Sequence, residues 1–157
     1  MNEANTKKLY TDFPRLYRDA AKERSTMQFG FGCHDGWFDL LYQLSADIES
    51  EARNLILAPD SDSWPRALQV KEKMGTLRFY CEVGKTKDEL VPEVVGELIS
   101  FRPLPSNSAI RVLIKKAESK SATICEVCGC LGTLKMEAWW RVTCDKCEQE
   151  IQQKGKQ

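Results

Sequence analysis

Two cysteine pairs near one end of the chain constrain its fold more than any other feature. Cys125 and Cys128, followed by Cys144 and Cys147, form C-x2-C-x15-C-x2-C. That spacing lies within the range of a four-cysteine zinc ribbon. Each pair lets two thiolates from one tight turn reach a single ion, and Gly129 supplies permissive backbone after the first pair. Four thiolates saturate tetrahedral zinc and leave no position for water or substrate, so one structural Zn2+ is the expected cofactor. The plainer alternative is four buried or surface thiols that happen to be paired in sequence. A redox reading requires a thioredoxin-like strand-to-helix setting, which the segment 124–129 does not suggest. Cys130 could compete for the ion, but only Cys128 restores the two-residue gap shared by Cys144 and Cys147.

The chain has 157 residues and seven cysteines, too many and too odd in number for a closed intrachain disulfide framework. Metal binding in a reducing compartment fits better. Cys33 and Cys81 then read as small apolar fillers. The segment MNEANTKKLY lacks the charged-then-apolar pattern of a secretory signal, and no apolar run approaches the roughly 20 residues of a membrane span. The expected address is the cytoplasm, with no membrane partner.

The length suits one α/β domain over 1–120, a ribbon over 121–150 and a frayed tail over 151–157. The expected class is α+β: helices packed on a small antiparallel β-hairpin, with the ribbon following. A short helix, a restart capped by Thr11 or Asp12, and further helix to about Ala21 are expected around Pro14. FGFGCHDG (29–36) reads as a loop with Asp35 as N-cap of the next helix. In that helix Trp37, Leu40, Leu41, Leu44, Ile48, Ala52 and Leu55 recur at three- and four-residue steps, which carries it to about Asn54. The loop APDSDSWP follows, with Trp64 turned inward.

Alternation on either side of Gly75 predicts a hairpin whose turn is Met74-Gly75. The expected pairs are Lys71 with Arg78, Val70 with Phe79, Gln69 with Tyr80 and Leu68 with Cys81. Leu68, Val70, Leu77, Phe79 and Cys81 would form the core face, and Lys71, Lys73, Arg78 and Tyr80 the other. A helix over 87–100 is expected from Leu90, Val94, Val95, Leu98 and Ile99, and another over 106–119 capped by Ser106 or Ser108.

Charge divides the possible surfaces. Lys+Arg and Asp+Glu are equal at 23 each, so attraction to nucleic acid must be local. From Ser121 to Glu150, three basic residues face five acidic ones, and four thiolates on a divalent ion add about two further negative charges. Such a ribbon should repel phosphate. The hairpin stretch 65–87 carries +4 and 105–121 carries +3. Lys71, Lys73, Arg78, Tyr80, Lys115 and Lys116 are therefore the candidate DNA or RNA contacts. The helix beginning at Asp35 carries Asp39, Asp47, Glu49 and Glu51 without a Lys or Arg through residue 51, and Asp88, Glu89, Glu93 and Glu97 add further charge. These acidic stretches are either solvated faces or partner surfaces, with Asp39, Asp47 and Glu51 the candidates for partner binding. Trp139 and Trp140 point to opposite faces of a strand, so one should pack beside the metal site while the other docks onto the main domain or a partner.

The sequence offers little for catalysis. His34 is the single histidine, and no phosphate-binding loop, nucleophile elbow or H-E-x-x-H motif occurs. Asp35 and Asp39, one turn apart, leave only a remote metal-dependent nuclease reading. The chain is expected to be no enzyme and to take no small-molecule substrate.

Four segments, KLYTDFPRLYR (8–18), FGFGCHDGWFDLLYQL (29–44), VKEKMGTLRFY (70–80) and CEVCG (125–129) followed by WWR (139–141), resemble a family of small, uncharacterised proteins of tailed phages and bacterial prophages. The resemblance extends over most of the chain. It departs at His34, where glycine is expected, at Met74, where a larger aromatic is expected, and at Cys130, where a non-cysteine is expected. The first departure argues against a family-wide catalytic His34, and the third places Cys130 outside the ligand set. The resemblance implies an accessory protein of the host bacterial cytoplasm that binds host components, defence systems among them, or regulates phage genes. The resulting expectation is a protein-binding module that modulates a host complex, with a nucleic-acid-binding regulator as the alternative.

Overall fold

A computed structural model of the chain describes residues 1–59, 61–83, 90–95, 98–103, 108–136 and 139–154. Its order is α1 (Glu3–Asp12), 3₁₀ turns Thr26–Phe29 and Asp35–Trp37, α2 (Phe38–Asn54), β1 (Arg66–Lys73), β2 (Thr76–Glu82), β3 (Leu90–Val95), β4 (Leu98–Pro103), α3 (Ser108–Ser121), β5 (Thr133–Met136), β6 (Trp140–Thr143) and α4 (Asp145–Lys154). The strands pair as three two-stranded antiparallel sheets, and the fold is α+β.

The expected short first helix forms and breaks before Pro14, but the expected restart as a second helix does not occur. Asn2 caps α1 by accepting from Asn5 N at 2.8 Å, and α1 stops at Asp12. Pro14 disfavours helical backbone at Phe13, and isolated turns replace the expected helix up to Ala21, as in Tyr17 N donating to Phe13 O and Ala20 N to Tyr17 O. Leu9, Phe13, Leu16 and Tyr17 nevertheless reach the core. Asp35 does not cap α2. Its Oδ1 accepts from Asn2 N and Asn5 Nδ2, both at 2.9 Å, and so ties α1 to the turn that leads into α2.

The apolar stripe of α2 is buried from Trp37 to Ala52, and only Leu55 of the expected set is exposed. Its buried polar groups are paired. Tyr17 and Ser45 share a 2.7 Å hydrogen bond between hydroxyls, and Glu49 accepts from Leu16 N at 3.3 Å. Trp64 is buried, as expected.

The β1–β2 hairpin forms with Met74 and Gly75 both at positive φ, 54° and 76°, as a two-residue primed turn requires. Lys71↔Arg78, Val70↔Phe79 and Gln69↔Tyr80 pair as expected. A bulge then slips the register, so that Ala67, not Leu68, opposes Cys81. Ala67 takes the core position and Leu68 is exposed. Both edges of this hairpin are occupied. Gly32 N donates to Val70 O and Glu72 N to Gly32 O along β1, while Ser121 Oγ and Glu118 Oε1 accept from Leu77 N and Phe79 N along β2. The core lies between this hairpin, α1, α2 and α3, with Ile110, Ile114 and Ala117 supplied by α3.

The helix expected over 87–100 is instead the β3–β4 hairpin, paired from Leu90↔Pro103 to Val95↔Leu98. Pro92 cannot occupy a helix interior, and Val91, Val94, Val95 and Ile99 are β-branched residues that favour strands. The next helix starts at Ser108, and Ser106 lies outside the described residues. Helix α4 was not expected from the sequence: residues 151–154, read as tail, are helical, and 155–157 lie outside the description. No helix among the described residues is long and apolar enough to cross a membrane.

Candidate metal centre

The ribbon brings the four expected cysteines together. The Sγ atoms of Cys125, Cys128, Cys144 and Cys147 all lie within 4.8 Å of one another, and Cys128 Sγ is 3.7 Å from Cys144 Sγ. Thiolates about 2.3 Å from a common tetrahedral ion are separated by about 3.8 Å, so the arrangement suits such an ion. The soft four-sulfur donor set points the same way. Cys130 stays outside the cluster with its side chain exposed, and its carbonyl accepts from Cys125 N at 2.7 Å.

Backbone geometry places the first pair. Gly129, at φ 80°, donates to Cys125 O, and Gly132 N donates to Thr123 O. The second pair uses a helix start. Cys144 stands immediately before α4, its carbonyl accepts from Glu148 N, and Cys147 sits in the first turn. Hydrogen bonding from the Cys147 backbone N–H, with its thiol, holds the Cys144 thiol down at about 7. Burial and the surrounding thiols push Cys147 up. Arg141 braces this end by donating Nε to Glu148 Oε2 at 3.0 Å, and Thr143 Oγ1 donates to the same oxygen at 2.6 Å. These partners, Arg141 first, hold the Glu148 carboxyl at about 2.

The knuckle is docked on the body. Gly36 N donates to Glu126 O at 2.8 Å, Trp37 Nε1 to Ile124 O at 2.9 Å, and His34 N to Glu126 Oε1 at 3.0 Å. Glu126 is only 6% exposed, and burial raises its carboxyl pKa. A Cβ added at Gly36 would lie 2.5 Å from Gly129 N and 2.6 Å from Glu126 O, so only glycine permits this approach. At the other end of the ribbon, Leu134 and Arg141 lie against Gly75 of the hairpin turn. Sequence reasoning missed Glu126 and Gly36. Their one visible signal was a carboxylate between two metal ligands and a glycine immediately before the α2 stripe.

The other candidate residues are distributed over several surfaces. Trp139 is 72% exposed and Trp140 44%, so neither takes the buried place expected for one of them. In β6 the buried positions belong to Val142 and Thr143. Both tryptophans border a cleft of about 370 Å³ with Glu72, Lys73 and Met74. Asp39 and Asp47 instead line a groove of about 400 Å³ between α2 and α3, with Lys116 and Lys120 on the opposite wall. Glu51 accepts from Asn54 Nδ2 at 3.2 Å. Among the basic candidates, Lys71 Nζ lies 5.6 Å from the Tyr80 ring centroid, and Tyr80 shares a cleft with Arg111 and Lys115. Arg78 donates to Thr76 Oγ1 and Leu77 O.

Cys33 and His34 point to different environments. Burial pushes the Cys33 thiol up to about 12, whereas His34 is exposed. Burial likewise holds Cys81 at about 12. Asp35, one of the two nuclease candidates, has its carboxyl held below its usual range by the Asn2 backbone N–H and Asn5. In comparisons with known proteins, the chain matches no family model, no curated protein and no solved structure.

Proposed function

We propose that this chain is a non-catalytic protein-binding module whose ribbon is stabilised by one Zn2+ and presents Trp139 and Trp140 to a partner. The observation that carries the reading is the exposure of two adjacent tryptophans beside Met74, itself 62% exposed. Tryptophan is enriched at the energetic centres of protein interfaces, where a large rigid ring is buried on binding. Zinc is the ion of choice because four thiolates in a closed tetrahedral set suit a structural site. The sequence resemblance adds the partner class, a bacterial host complex such as a defence system, and the cytoplasm as the place of action.

Affinity capture with the metal-loaded chain after nuclease treatment tests this reading. Wild type should retain a protein partner that the Trp139→Ala, Trp140→Ala double variant loses, with the metal content unchanged. Equal capture by both would sink it. A second reading, a nucleic-acid-binding regulator, draws on Lys71 over Tyr80 and on Arg111 and Lys115 beside the same ring. Salt-sensitive retention of DNA or RNA, lost on Lys71→Glu with Lys115→Glu, would favour that alternative.

A further inference from the structure

The tryptophan surface has a chemical bias. Trp139 and Trp140 border two clefts of about 370 Å³ each, and Glu72 lines both. The first is completed by Lys73 and Met74, and the second includes Phe31, Glu126 and Val127. Each cleft therefore sets indole rings beside a carboxylate and an apolar side chain. Among the described residues neither indole N–H donates a hydrogen bond, and neither ring lies against another aromatic ring.

Cations line the same clefts, Lys73 the first and Arg141 and Met1 the second. Arg141 donates to Glu148 through Nε and Nη2, the Met1 amino group donates to Cys33 O, and Lys73 is exposed. In sequence, the stretch 121–150 carries five acidic residues against three basic ones, and four thiolates on a divalent ion would add about two more negative charges. An indole face attracts a cation through its quadrupole, and a neighbouring carboxylate supplies a counter-ion. A phosphate would meet the same carboxylates unfavourably. Long basic side chains also carry an apolar stem, which matches Met74 and Val127.

We propose that the Trp139–Trp140 clefts receive an arginine or lysine side chain from an exposed segment of a partner protein, with an indole face against the cation and Glu72 as counter-ion. The inference rests on the reading of the chain as a protein-binding module and adds the chemistry of what it binds.

The test uses the whole metal-loaded chain with nitrogen-labelled indoles, observed by NMR. The probes are a terminally blocked Gly-Leu-Arg-Leu-Gly peptide, its citrulline and glutamate counterparts, and a hexathymidine oligonucleotide. The arginine peptide should shift the indole signals of Trp139 and Trp140 and leave those of buried Trp37 and Trp64 in place. Citrulline should weaken binding about tenfold, and Trp139→Ala about 3- to 30-fold. Glu72→Gln keeps an acceptor for Gly75 N and should weaken binding several-fold while flattening its salt dependence. Citrulline or glutamate peptides that bind as tightly as arginine, an oligonucleotide that moves the same indoles at lower concentration, or indoles unmoved by every probe would overturn the proposal. If the tryptophan variants still lose a captured protein while charge makes no difference to peptide binding, only the cation inference fails. If capture is also unaffected by those variants, the module reading fails with it.

Discussion

The body and the ribbon are held together by different physics. Among the described residues, the body collects twenty buried apolar residues from α1, α2, the β1–β2 hairpin, α3 and the turns between them into one core, with paired tyrosine and serine hydroxyls inside it. Among the described residues of the ribbon, the buried apolar ones are Cys125, Val142 and Cys147, two of them metal-ligand candidates, and they share the interior with Glu126, Thr143 and Glu148. Area burial can stabilise the first region. The second is too small for that, and an ion held by its four clustered cysteines, with its contacts to the body, would supply what area burial cannot. Side chains left over from so small a core must face outward, which is why a ribbon of this size exposes two tryptophans.

The largest effect that separates the two regions should come from losing the ion. Cys125→Ser should abolish metal binding and unfold the ribbon, because structural zinc contributes on the order of 10–16 kcal/mol in small domains. Elemental analysis should give one ion per wild-type chain and none per variant, while circular dichroism retains the helices of the body. Acid should act in the same direction. Bound metal requires thiolates, and the Cys144 thiol ionises at about 7 while Cys147 ionises higher. Apparent affinity should therefore rise with pH through neutrality and fall below it, as a metal-indicator competition series can measure.

A core truncation should produce the complementary pattern. Leu41 is fully buried on α2, and Leu41→Ala should cost about 2–5 kcal/mol in urea unfolding of the body, with the ion still bound at low urea. A smaller effect should follow from the polar brace of the ribbon. Glu148→Gln replaces the carboxylate that accepts from Arg141 and Thr143, and should lower ribbon stability by about 1–3 kcal/mol at pH 7 without changing metal stoichiometry. The smallest effect belongs to the hairpin turn. Met74→Asn suits the positive φ better and should stabilise the body by about 0.5–1 kcal/mol in thermal melts. If instead it weakens partner capture, Met74 belongs to the interface as well as to the turn.

What was readable in the sequence follows the same division. The α2 stripe and the register around Gly75 were legible because one buried face repeats at fixed spacing, and the four clustered cysteines because a shared metal would require such spacing. The β3–β4 segment misled because Leu90, Val94, Val95, Leu98 and Ile99 satisfy helical steps, while Pro92 and the β-branched residues decide for strand. Leu68 was misplaced by a bulge that alternation alone does not reveal. The docking of Glu126 on His34 and Gly36, and of Ile124 on Trp37, was hardly legible. It joins positions about ninety residues apart, and each contact has a backbone group, which carries no sequence signal, on at least one side.

The central claim is that a four-thiolate ion holds the ribbon folded against the start of α2. Hydrogen exchange at the Trp37 indole N–H, measured before and after chelation, tests it most directly, since that group donates to Ile124 O beside the first ligand. The account predicts strong protection that collapses on chelation, together with protection of the amides from 125 to 148, while those of α2 from Leu41 to Ala52 stay protected. Protection at Trp37 and across the ribbon that is the same with and without chelator would contradict it.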